Sequence, residues 1–181
     1  MPEGVQPEIV RKYLFGEPDA HIFALLDGAS VEGLLDHLYE DEPDFVCLYR
    51  GRLAPDMAEV APYLVELKPE EPFTRWVLEN CWGKHWGIFA ASPEGIRTLR
   101  QHFRRFTMVR DPDGKFLYFR FYDPRVLRVF LPTCEAAELA EFFGPVLFYA
   151  AEDEDGARVV RFHRTPAGLQ TEELDLTGEQ P

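Results

Sequence analysis

No apolar stretch of this chain approaches the roughly 20 residues that a membrane-spanning helix needs. Cysteine is scarce: Cys47, Cys81 and Cys134 form an odd set without CxxC spacing. That excludes a disulfide framework and reads as reduced thiols of a cytoplasmic protein. His21, His37, His85, His102 and His163 make neither HxH nor HExxH, so no metal is expected. GxGxxG, GxxxxGK[ST] and GxSxG are absent too, and no cofactor is expected. The opening residues, MPEGVQPEIVRKYLFGEP, carry charge and no apolar centre, so they do not read as a secretory signal. Basic residues are few, 19 against 32 acidic, for a formal charge of -13. This argues against nucleic-acid and anionic-membrane partners, which rely on clustered cations.

What is present is a globular composition, 46% hydrophobic and rich in Phe, enough to bury a core in one domain. The bases are unevenly spread: between Arg97 and Arg128 lie nine Lys and Arg and only three acids. The remainder is acidic, including EDED at 152–155. A basic middle in an acidic chain suits either docking of an acidic partner or pairing with the protein's own carboxylates.

HIFALLD (21–27) predicts a buried strand ending in an Asp-Gly turn, and Ser30 a cap for a helix with Val31, Leu34, Leu35 and Leu38 on one stripe. DFVCLYRG, PYLVEL and HWGIFAAS predict further strands. Pro69 and Pro72 open a helix carrying Phe73, Trp76, Val77 and Cys81 on one face, closed near Gly83. Ser92-Pro93 marks a cap and first turn for a helix with Ile96, Leu99, Phe103 and Phe106 inward and Arg97, Arg100, Arg104 and Arg105 mostly elsewhere. Asp111 to Gly114 predicts a hairpin turn at about 106–122, and Asp123-Pro124 the start of a helix running to Phe130. Ala136, Leu139, Ala140 and Phe143 line the next helix, followed by two strands and a weaker edge strand, GLQTEELDL. The expected class is α/β (mixed α+β), a single domain with a mixed sheet flanked by helices. Residues 1–20 are expected as an N-terminal arm, 21–150 as the core, and 151–181 as an acidic C-terminal extension with one or two edge strands.

Catalytic candidates fare poorly. Cys81 and His85 have the spacing of a thiol and its base, but Trp82-Gly83 between them ends the helix and Cys81 lies on its apolar stripe. Asp111 and Asp113 are turn formers, and no catalytic residue is assigned. Trp86 and Phe89 are expected in the core, whereas Trp82, beside a helix-ending glycine, is expected partly exposed and available to a partner. In FLYFRFY both faces are largely apolar, which predicts a central strand with Arg120 partly buried and tied to an internal acid or carbonyl. Asp123 then caps the helix opened by Pro124, and Arg125 leaves on its first turn. Arg120, Asp123, Pro124 and Ser92 are thus structural. Arg97, Arg104, Arg105 and Arg125 are the candidate partner-binding residues, on a surface made by the arginine-bearing helix and the helix after Asp123.

Taken as a series, HIFALLDGA, APYLVEL, CWGKHWGIF, LRQHFRRF, LYFRFYDPRVLRVFLPT and FFGPV resemble the Tap/TEC-type adaptor domain, or effector chaperone, of bacterial type VI secretion. The match runs from about His21 to Val146. The resemblance implies a non-enzymatic protein that binds a toxic effector in the cytoplasm and aids its loading on the VgrG spike. It also implies a short member, with little of the family's variable C-terminal lobe, so cargo choice falls to the core or the tail from Ala151. Two other classes stay open: a small-molecule enzyme or sensor, needing Asp27, His85, Arg120 and Asp123 around one pocket, and an immunity-like inhibitor.

Overall fold

Side chains alternate across strand His21–Asp27 (β1) into two separate cores, Ile22, Ala24 and Leu26 into one and Phe23 and Leu25 into the other. A strand covered on both faces reads as the unbroken apolar run seen in the sequence. The computed structural model describes residues 4–111 and 113–177. In chain order its first half holds Pro7–Leu14 (α1), β1, Leu34–Glu40 (α2), Phe45–Cys47 (β2), Pro55–Glu59 (α3), Pro62–Leu67 (β3), Pro72–Asn80 (α4), Gly87–Ser92 (β4) and Ile96–Phe103 (α5). The second half holds Met108–Arg110 (β5), Phe116–Tyr118 (β6), Pro124–Phe130 (α6), a 3₁₀ turn at Leu131–Thr133, Ala136–Phe143 (α7), Phe148–Glu152 (β7), Arg158–Thr165 (β8) and Gly168–Asp175 (β9).

Seven strands form one sheet in the order β2-β3-β1-β4-β7-β8-β9, and every pairing among them is antiparallel. The buried residues of α1, α2 and α4 pack on one face, those of α5, α6 and α7 on the other. The α/β class, with helices flanking a sheet in a single domain, is therefore as the sequence indicates, but the expected mixed sheet is wholly antiparallel among the described residues. The hairpin β5–β6 pairs only with itself. Its turn is closed by Gly114 N–H to Asp111 O and Lys115 N–H to the Asp111 side chain, while Pro112 lies outside the described residues.

Several local expectations change. Within the expected N-terminal arm, residues 4–20 pack on the domain: α1 buries Val10 and Leu14, and Gln6 N–H donates to Leu176 O beyond β9, while residues 1–3 lie outside the described residues. Arg161 of β8 fixes α1 by donating to Tyr13 O at 2.7 Å, its guanidinium lying 3.8 Å from the Phe148 ring. The C-terminal segment is no appendage either, since β8 is an interior strand that buries Val159, Val160 and Phe162, and only β9 is an edge. Residues 178–181 lie outside the described residues.

Ser30 does not cap α2, whose N-cap is Gly33; its hydroxyl donates to Asp27 instead. Ser92 does not cap α5. It ends β4, donates to Pro145 O at 2.8 Å and accepts from Glu94 N–H at 3.1 Å, and the helix starts later, after Gly95. In both cases the hydroxyl closes a turn between strand and helix, the alternative use of a short polar side chain. On α7 the buried residues are Leu139, Phe142 and Phe143, whereas Ala136 and Ala140 are exposed. A capping box between Glu135 and Glu138 starts that helix.

Candidate partner-binding surface

Asp123 does what its sequence position predicts. Its carboxylate accepts from Arg125 N–H at 3.0 Å and caps α6, which Pro124 opens. The Arg125 side chain then folds back, with Nε at 3.0 Å and Nη2 at 2.7 Å from the same carboxylate. Burial pushes the Asp123 carboxyl up, but the hydrogen bonds from the Arg125 side chain and backbone outweigh it and hold the group below the usual carboxylate range. Arg120 sits 3.8 Å from Asp123 and pairs directly with Asp27, which also accepts from Ser30 Oγ and Ala29 N–H. The internal tie expected of Arg120 is present, but the burial is the reverse of the expectation. The Asp27 side chain is 2% exposed and the Arg120 side chain 43%.

The strand carrying Arg120 is not central. β6 stops at Tyr118, the chain turns through Arg120–Asp123, and all six residues of the hairpin strands are exposed. Met108, Val109, Phe116, Leu117 and Tyr118 thus present a large apolar area to solvent, whereas Phe121 and Tyr122 enter the core. The hairpin has a firm base: Phe119 N–H donates to Thr107 O, Thr107 Oγ1 to Arg104 O, and the Phe119 ring lies edge-on to Phe130 at 4.9 Å.

Between this hairpin, the end of α5 and the segment after β2 lies a groove of about 320 Å³, walled by Tyr49, Arg50, Arg104, Arg105, Phe116 and Tyr118 among others. The Tyr49 and Tyr118 rings pack at a 35° tilt with centroids 5.0 Å apart, and Arg110 lies over Phe116 at 4.4 Å. Behind Tyr49 the Tyr122 hydroxyl is pushed well up, by burial first and then by the Tyr49 hydroxyl beside it. A second hollow of about 520 Å³ runs along β2, between Asp44, Phe45 and Val46 on one side and Arg97, Arg100 and Arg104 on the other.

The expected binding residues separate into two groups. Arg97 and Arg104 line these hollows, Arg105 reaches the first while pairing with Glu141 of α7, and Arg125 lies in neither. Trp82 is not exposed: it is 1% accessible and stacks on Phe89, because the chain after α4 turns inward over the sheet. Cys81 is the C-cap of α4 and buried, and burial pushes its thiol well above the ordinary value. His85 adopts φ 56°, and its ring turns to the buried Glu152, whose carboxylate also accepts from the Gly83 and His85 N–H groups. Asp27, Arg120 and Asp123 meet, but they close on one another rather than around a cavity.

The model of a family described as a domain of unknown function (DUF4123) matches residues 22–141. The chain belongs to the DUF4123 family. Neither a curated protein nor a solved structure gives a match. The DUF4123 match starts in β1 and ends in α7, so it includes the hairpin, both hollows and the Asp123–Arg125 turn. Strands β7, β8 and β9 and helix α1 of this DUF4123 protein lie outside it.

Tyr49, Arg50, Arg100 and Tyr118 escaped the sequence reading as site residues. The available signal was the brevity of the apolar runs beside Asp111–Gly114, which Arg110 and Lys115 flank. Runs so short, with charge at the turn, suit a projecting hairpin better than a core strand.

Proposed function

We propose that this chain is a non-enzymatic adaptor that binds a type VI secretion effector in the cytoplasm and aids its loading on the VgrG spike. The observation that carries the reading is the exposed apolar hairpin beside an arginine-lined groove, both inside the DUF4123 match. Contiguous exposed apolar surface of this kind marks protein-binding sites more often than idle surface. The resemblance to Tap/TEC-type adaptors supplies the effector and VgrG as partners. The closure of Asp27, Arg120 and Asp123 on one another supports binding over catalysis, because a substrate would find their hydrogen-bonding capacity already used. No helix of the described residues is long and apolar enough to cross a membrane, which is compatible with the proposed location.

The test is co-expression of the full chain with the toxin encoded beside it and, separately, with the neighbouring VgrG. A stable complex with the toxin, purified without turnover of any toxin-derived group, is the expected result. Toxin and chain that elute apart at micromolar concentration would overturn the reading.

A further inference from the structure

Six arginines of this acidic chain, Arg11, Arg105, Arg120, Arg125, Arg158 and Arg161, pair with carboxylates. The other nine make no ion pair among the described residues, although acids outnumber bases 32 to 19, and four of these nine, Arg50, Arg97, Arg100 and Arg104, gather around the outer edge of β2. Arg104 donates only to backbone, to Cys47 O at 3.0 Å and Tyr49 O at 2.6 Å, where β2 has no neighbouring strand. The Nε atoms of Arg100 and Arg104 are buried without a hydrogen-bond partner. Burial, and then the neighbouring cations Arg100 and Arg50, lower the pKa of Arg104. Asp44 lines the same hollow but pairs with Lys68, and partly desolvated cations with no carboxylate in ion-pair contact are unfavourable until one meets them.

Arg104 lines both hollows, so the cationic edge of β2 runs on into the aromatic pocket of Tyr49 and Tyr118. We propose that this continuous groove is the docking site for an extended acidic segment of a partner protein. Its carboxylates meet Arg50, Arg97 and Arg100, and one aromatic or large aliphatic side chain lies against Tyr49 and Tyr118. The class of protein carrying the segment rests on the adaptor reading; the chemistry of the groove does not. Single-stranded nucleic acid also uses arginines and stacking aromatics. The exposed Met108 at the groove wall offers an aliphatic contact suited to a peptide side chain rather than to a base, and the peptide is the occupant favoured here.

Fluorescence anisotropy with the full chain tests this, using a labelled Glu-Glu-Leu-Glu-Phe-Glu-Glu peptide, its Lys-for-Glu counterpart and oligodeoxythymidine as probes. Saturable binding of the acidic peptide alone is expected, weakened by salt. Arg50→Glu combined with Arg97→Glu, or Tyr118→Ser, should weaken it about tenfold or more. All three residues are exposed, so the variants should keep the wild-type melting temperature. Arg164→Glu, exposed on β8 towards the opposite edge of the sheet, should bind as the wild type does. Failure of the acidic peptide to bind, undiminished binding by the folded groove variants, or a preference for the Lys peptide or oligodeoxythymidine overturns the assignment. If the toxin co-purifies while the peptide fails, the groove falls and the adaptor reading stands. If the peptide binds and no toxin co-purifies, the adaptor reading falls and the groove stands.

Discussion

Arg120, at the exit of the exposed hairpin, pairs with the buried carboxylate of Asp27 at the end of β1, 93 residues earlier in the chain. The pair fixes the base of the hairpin to the central sheet. Among the described residues, Arg120→Ala removes the only cation in contact with Asp27, leaving Ser30 Oγ and Ala29 N–H to serve it. The half-exposed guanidinium reduces the cost below that of a fully buried pair, so a loss of about 2 kcal/mol is expected. Urea denaturation measures it. Hydrogen exchange should rise at the Phe119 and Asp123 amides, which hold the hairpin base, and an unchanged rate there would refute the anchoring role.

Asp123 holds α6 by its cap and by Arg125. Asp123→Ala should cost about 1–2 kcal/mol through the lost cap, whereas Asp123→Asn keeps an acceptor for Arg125 N–H and costs less. The folded carboxyl sits below its unfolded value, so its contribution is complete above about pH 3.9 and disappears as pH falls through the folded pKa. Urea midpoints between pH 5 and pH 2.5, roughly that window, should therefore fall more steeply in the wild type than in Asp123→Asn.

His102 gives the milder acid response. Its ring is buried and donates from Nε2 to Phe142 O at 2.8 Å. Burial pulls its pKa down, and the Phe142 carbonyl opposes the shift, as does Glu141, while Arg105 adds to it. The unfolded chain takes up the proton first, so stability should decline as pH drops below about 6.5 and level off beneath the folded pKa. Substituting His102→Gln should flatten that limb in urea midpoints measured at pH 7.5 and 5.5. A limb of unchanged slope would assign the response to other groups.

Gly87 is a packing requirement of the sheet. A Cβ there would lie 2.1 Å from Leu25 O in the paired strand β1. Backbone must move to admit it, and Gly87→Ala should cost about 3 kcal/mol or more. At Gly95 a Cβ meets open space, and Gly95→Ala should cost about 1 kcal/mol or less. Chemical denaturation of the two variants side by side checks the contrast.

The elements built from local signals were legible in the sequence. HIFALLD became β1, PYLVEL β3 and GIFAAS β4, and Asp123-Pro124 opened α6 where expected. These depend on apolar periodicity and on a side chain reaching its own backbone, which are matters of a few adjacent residues. Ser30 and Ser92 show the limit, because a hydroxyl that can cap a helix can equally close a turn, and the surrounding packing chose the turn.

The sequence by itself determined an acidic α/β domain with many buried strands, an Asp-capped helix after a hairpin, and the paired role of Arg120. Tertiary structure decided which faces are wet. FLYFRFY and CWGKHWGIF are both rich in aromatic residues, yet Phe116 and Tyr118 stand exposed while Trp82 is sealed against Phe89. Burial depends on which distant element covers a segment. The covering helices and the edge position of β2 follow from long-range strand pairing, which local composition does not specify. For the same reason the unpaired arginines and the aromatic pocket form one groove only after α5, β2 and the hairpin have been brought together.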